Sequence, residues 1–209
     1  AAPLHIAAGR PFFMASCQAI CACFALAYSL AMAQTTVPSP RVLSVSQSGG
    51  HRFSKQPVER IELERGRGVR GDAHAGERVQ HLSRVRADPT QRNLRQVHLI
   101  HGELLEQLSA RGFCVNPGDL GENITTWGID LLVLPKGTLL EIGAGAVLEV
   151  TGLRNPCRQI EAFEEGLLAA VLDRTSDGAV IRKAGIMSVV VAGGTVAIGD
   201  SIRARLPVE

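Results

Sequence analysis

The sequence predicts a mainly β (α+β) domain, a mixed antiparallel barrel or sandwich with a few peripheral helices. Three observations carry that expectation. The 209 residues include 22 glycines and 10 prolines but only 4% aromatic side chains, a balance that suits short strands and tight turns better than a helical bundle. Beyond Pro117, short apolar runs alternate with glycine-containing turns at strand-like spacing. With 45% hydrophobic residues the chain can bury a sizeable core.

The elements follow in order. Residues 1–40 contain no acid and one base, Arg10, and hold the apolar stretch AICACFALAYSLAMA from Ala19 to Ala33. Its Ala-Met-Ala ending before Gln34 has the shape of an export leader and its cleavage site, and it is too short for a stable membrane span. No positive charge lies between Met14 and that run, and a start at Met32 would leave a cytoplasmic protein; this is the expectation, with export directed by residues 14–33 as the alternative. Cys17, Cys21 and Cys23 belong to this stretch, with no His or second Cys pair at zinc-ligand spacing. Residues 1–40 thus read as an apolar segment and linker, and 41–207 as the folded domain.

Arg41–Ser46 (RVLSVS) alternates as a strand does. A polar, Arg-rich stretch runs from there to about residue 93. Gln96–Ile100 suits a strand or the start of a helix. Gly102–Arg111 puts Leu104, Leu105 and Leu108 on one helical face, with Gly112 as the stop. Leu131–Leu134, Thr138–Ile142, Ala146–Thr151, Ile186–Ala192, Thr195–Ile198 and Ser201–Leu206 read as strands, interrupted by one helix around Ala162–Asp173. There is no internal repeat.

Charge is unevenly placed. The net charge is only +2, too small to imply a nucleic-acid or membrane-surface partner. Residues 52–95, however, hold half of the Lys and Arg and carry +5, while residues 96–209 carry −5. Such a basic loop is either a solvated face or a receiver of an anionic ligand, phosphate above all. Five cysteines are too few for a disulfide scaffold.

Gly66-Arg-Gly68-Val-Arg-Gly71 matches a dinucleotide-binding pattern, but Asp72-Ala-His-Ala-Gly follows it with no helical period, so no helix N-terminus would face a pyrophosphate. Three other stretches carry chemistry. Thr151-Gly-Leu-Arg-Asn-Pro-Cys157 ends a strand at a glycine, fixes the backbone with Pro156 and sets Cys157 between Arg154 and Arg158, cations that favour a thiolate. A lone cysteine is more commonly a small buried residue, as expected for Cys114 among its apolar neighbours; the flanking arginines point the other way for Cys157. Gly71-Asp72-Ala-His74-Ala-Gly76, with His81 beyond it, places a potential proton donor or clamp in a loop, whereas His98 and His101 read as structural. Pro117-Gly-Asp-Leu-Gly-Glu122-Asn123-Ile-Thr125 reads as an ordinary turn or as a loop whose amides and Asn side chain hold a polar ligand.

Together with Gly185-Ile-Met-Ser-Val-Val and Val196-Ala-Ile-Gly-Asp200-Ser-Ile, these motifs resemble the MOSC domain, the module named after the C-terminal domain of molybdenum cofactor sulfurases, over about residues 41–207. The stand-alone bacterial and fungal members are most similar. The resemblance implies a barrel-like fold that binds the molybdenum cofactor (molybdopterin), with Cys157 as molybdenum ligand or sulfur carrier. Arg154 and Asn155 would orient the cofactor, and Asn123 and Thr125 would line its pocket. Asp72 and His74 would hold the loop over it or relay protons, and the basic loop with Arg70 would face the pterin phosphate. His81 is carried over although Leu82-Ser83-Arg84 follows it, where stand-alone reductases have a His-Gly-Gly stretch. Members joined to a pyridoxal-phosphate domain transfer sulfur; 209 residues leave no room here for that domain.

Three functions follow from the resemblance, in this order. The first is a reductase of N-hydroxylated small molecules, fed by an external electron-donor protein because no flavin, haem or iron–sulfur motif is present. The second is a sulfur carrier with a Cys157 persulfide, and the third a non-enzymatic cofactor carrier.

Overall fold

The computed structural model describes residues 39–208. The expectations placed on residues 1–38 lie outside them. Along the described chain, β1 (Arg41–Gln47), β2 (Gln56–Val58), β3 (Arg60–Glu64) and β4 (Gly68–Val69) precede a short helix α1 (Leu82–Ala87). Then come β5 (Val97–His101), α2 (Gly102–Ala110), β6 (Ile124–Trp127), β7 (Leu139–Ile142) and β8 (Ala146–Leu153). Helices α3 (Arg158–Phe163) and α4 (Leu167–Ala170) lead to a small hairpin, β9 (Leu172–Arg174) and β10 (Val180–Arg182). The last three strands are β11 (Ile186–Ala192), β12 (Gly194–Ala197) and β13 (Ile202–Arg205).

Eight strands form one mixed sheet in the order β13-β7-β8-β11-β5-β6-β1-β2. Its neighbours are antiparallel except β5 and β6, which run parallel because α2 carries the chain back across the sheet. A second sheet, β12-β3-β4, packs against it. Alternation explains which faces meet. In β8 the side chains of Ala146, Leu148 and Val150 point inward and join Val42, Val45, Leu99, Ile124, Leu140 and Ile186 in one core. A second cluster forms where Leu104, Leu105 and Leu108, the apolar face expected of α2, meet Ile160 of α3 and Leu167 of α4.

No continuous ladder closes the eight strands into a barrel among the described residues, so the expected barrel is corrected to an open mixed sheet. Toward its margins, β1 meets the segment before β13 at a single antiparallel bridge between Arg41 and Ser201, with Val42 N donating to Asp200 O and Ile202 N to Pro40 O, both at 2.8 Å. The next pairing position on the β1 side is Pro40, which has no N–H to offer, so the ladder stops there.

Three further expectations change. Leu131–Leu134 is not a strand: Leu131–Val133 is a 3₁₀ turn, because the Asp130 carboxylate accepts from Leu132 N at 2.9 Å and Pro135 follows. The single helix expected around 162–173 is two short ones followed by β9, broken where Gly166 takes φ +79. The Arg-rich stretch holds β2 to β4 and α1, a helix that buries none of its residues. No helix among the described residues is long and apolar enough to cross a membrane.

Candidate functional site

The antiparallel pair β8–β11 sets the first wall. Ile186 pairs with Leu153 and Met187 with Gly152, and Arg154 N donates to Gly185 O at 2.9 Å, which fixes the point where the chain leaves the sheet. Gly185 has no alternative there: its φ is +81, and a Cβ would lie 2.0 Å from Leu99 O. The segment Arg154-Asn-Pro-Cys157 then turns across the sheet end into α3. Cys157 is a free, half-buried thiol whose Sγ lies 3.5 Å from Gln159 Oε1.

The second wall comes from the Pro117–Glu122 turn and the loop after β1. Lys55 N donates to Gly118 O at 2.9 Å, seating Phe53 and Lys55 beside it. Behind both walls lies Asp72, whose side chain is 2% exposed. Its Oδ2 meets Lys55 Nζ at 2.7 Å and Asn123 Nδ2 at 3.1 Å, while Oδ1 accepts from His74 N at 2.9 Å and meets His74 Nδ1 at 3.2 Å. Asn123 also donates to Ser46 O at 3.2 Å and accepts from His98 N at 3.3 Å. One buried cluster thus fixes β1, β5, β6 and the His74 loop relative to each other.

These elements enclose a cleft of about 280 Å³. Of the residues singled out from sequence, His74, His81, Asn123, Arg154, Asn155 and Cys157 line it. Asp72 and Thr125 lie behind it, Asp72 holding His74 and Thr125 Oγ1 donating to Glu122 Oε1 at 3.1 Å. Arg70 lies outside: its side chain is 67% exposed and binds Glu64 at 2.7 Å. Sequence reasoning missed Arg52, Lys55, Arg84 and Arg95, which the fold brings to the cleft from a stretch read only as basic. His98 does more than was read for it; Nε2 meets Ala184 O at 2.8 Å while the residue also lines the cleft.

The electrostatics are those of a partly buried cationic cleft. Burial, together with the neighbouring His74, Arg95, Arg84 and Arg154, pushes His81 down to about 3, so its ring is neutral at pH 7. Burial and the charges of Arg84 and Arg154 push Arg95 down to about 10. Burial would raise Asp72, but hydrogen bonds from His74 and the Lys55 charge hold its carboxyl well below the usual carboxylate range. Burial raises Glu122, a fully buried carboxyl whose Oε1 accepts from Gly118 N at 2.6 Å.

Arg154 Nη1, Arg95 Nε and His81 Nδ1 are buried without a hydrogen-bond partner. Buried guanidinium nitrogens left unpaired are costly, and an oxyanion in the cleft would satisfy them. Among the described residues, no three His, Cys, Asp or Glu side chains are placed to hold a metal ion, so a metal here needs ligands of its own besides Cys157. One soft sulfur donor beside a cationic wall fits a sulfur-ligated metal carried on a phosphorylated organic ligand.

Residues 71–203, most of the chain and every wall of the cleft except the Arg52–Lys55 loop, match the MOSC domain. The chain belongs to the MOSC domain family. That family is associated with molybdenum-cofactor-related functions. Among solved structures, the YuaD protein from Bacillus subtilis is 22% identical, with a TM-score of 0.64 over 80% of this chain and 96% of that one. YiiM from Geobacillus stearothermophilus is 15% identical, with a TM-score of 0.55 over 79% and 75% of the two chains. YiiM from Escherichia coli is 17% identical, with a TM-score of 0.54 over 82% and 72%. These likenesses are of fold. No curated protein matches the chain.

Proposed function

We propose that the cleft of this MOSC protein holds the molybdenum cofactor with Cys157 as the protein's metal ligand, and that the protein reduces N-hydroxylated small molecules. The observation that supports it best is a free thiol on a cleft wall beside guanidinium nitrogens that are buried without acceptors. The bound group would supply two-electron exchange at an N–O bond. Arg154 and Asn155, adjacent to Cys157 in the chain, would orient it, and Arg95 with Arg84 would neutralise its negative charge.

The reaction, R–NH–OH + 2e⁻ + 2H⁺ → R–NH₂ + H₂O, breaks the N–O bond and releases its oxygen as water. The electrons come from an external donor protein. The protons are the protein's task. With Asp72 accepting from Nδ1–H, the His74 ring is held so that its Nε2 relays a proton from solvent to the departing hydroxyl. Asp72 serves as a positioning residue and Lys55 keeps it ionised.

Protein made in a cofactor-producing host is expected to contain molybdenum and pterin, and Cys157→Ala to lose the metal. Absence of both from the wild type would overturn the reading. Because the thiol is reachable, persulfide transfer is the second reading: a 32 Da adduct on Cys157 after incubation with a cysteine desulfurase, in protein without metal, would establish it instead (about one sulfur atom added per thiol).

A further inference from the structure

A second groove of about 160 Å³ adjoins the cleft and shares Arg84, Arg95 and Met187 with it. Its remaining walls are unlike those of the cleft. Val79, Leu94 and Leu153 give it apolar sides, and Arg92 and Gln91 stand among them. Leu94 and Leu153 are 49% and 40% exposed, a large apolar surface for one small depression. The floor is fixed: the Thr151 hydroxyl lies 2.6 Å from Leu94 O and 2.9 Å from Met187 O. Arg84 Nη1 touches Gln91 Oε1 at 3.5 Å, while Arg95 Nε is buried with no acceptor. Among the described residues, no carboxylate lines either pocket. Arg95 lines both pockets and Cys157 lines the cleft, so the groove adjoins the pocket that holds the thiol.

We propose that this groove receives a carboxylate or phosphate at the far end of the substrate, with the apolar body of the molecule against Leu94 and Leu153 and the N-hydroxylated end in the cleft. The planar fork of arginine matches such oxyanions, and apolar flanks strengthen the pairing by excluding water. The inference takes the reacting end of the substrate from the proposed reductase function; the anion preference stands on the groove alone.

Three probes sharing one reactive group test it: benzamidoxime, 4-carboxybenzamidoxime and 4-phosphonobenzamidoxime. Calorimetric titration of the protein as purified should show at least one acid binding about tenfold tighter than the neutral probe, one charge-assisted hydrogen bond's worth. Arg92→Glu is expected to abolish that ratio, and Arg203→Gln, an exposed arginine of β13 outside both pockets, to leave it intact. Whichever acid is favoured names the anion. Equal binding of all three probes would overturn the inference, as would a preference that survives Arg92→Glu but disappears in Arg154→Gln. Protein lacking molybdenum and pterin would sink the reductase reading and still answer the titration, so the two can fail separately.

Discussion

At the scale of single residues, the cleft holds its charges in two different ways. Asp72 is ionised because partners surround it, and its pKa lies below that of an unfolded carboxyl. The stability it contributes is therefore present above about pH 4 and is lost only in stronger acid, as pH falls through the folded value. His81 behaves in the opposite sense. Its folded value of about 3 lies below the unfolded 6.5, so between those limits the unfolded chain binds a proton that the folded one refuses. Stability then falls as pH drops from about 6.5, by about 1.4 kcal/mol per unit for this group. Urea midpoints at pH 7 and pH 5 should differ in the wild type and differ less in His81→Gln. An undiminished difference would remove His81 as the cause. Lys55 makes a related point. Lys55→Met strands the Asp72 carboxylate in the interior and is expected to cost about 3–5 kcal/mol, whereas Lys55→Met with Asp72→Leu should recover part of that loss.

At the scale of elements, the loop from Val79 to Arg92 is held mainly at its ends. Arg78 bridges Arg92, Val79 N donates to Gln91 O, and Asn93 N donates to Glu77 O. Asn93 is fully buried; its amide donates to His74 O and Gly76 O at 3.0 Å and its oxygen accepts from Arg95 N at 3.0 Å. One side chain thereby sets both a histidine and an arginine of the cleft. Asn93→Ala should cost about 2 kcal/mol and speed amide exchange across 79–92. Unchanged exchange there would mean that other contacts hold the loop. Such an arrangement is invisible in sequence because its partners are 17 and 19 residues away and bond through backbone carbonyls. The legible elements were those with their own punctuation: β11 appears with the expected bounds, and α2 ends before Gly112. Residues 131–134 misled because a short apolar run suits strand and turn equally, and only the Asp130 side chain decides. The site divides in the same way. Cys157, Arg154, Asn123 and His74 stand in glycine- and proline-marked turns, while Lys55, Arg84 and Arg95 have no local mark and reach the cleft only through the sheet order.

At the scale of the whole molecule, one core joins strands from both ends of the described chain, Val42 and Val45 packing with Val196 and Ile202. Trp127, the only tryptophan, ends β6 and pairs with Arg41 of β1. Its fluorescence and the strand signal in circular dichroism should therefore lose structure at the same urea concentration. Separate midpoints would show that the α2–α4 cluster or the small sheet unfolds independently. That the eight-stranded sheet stays open has a further consequence, for how this protein behaves when crowded. A sheet left open offers its outermost strands as templates for other chains. Here one outermost strand is three residues long and contains Pro57, and the other carries the exposed arginines Arg203 and Arg205, with Arg41 and Ser201 bridged beside it. Neither margin offers a long, neutral backbone row, so the folded protein should stay dispersed at high concentration, and neutralising those two arginines is the change most apt to make it stack.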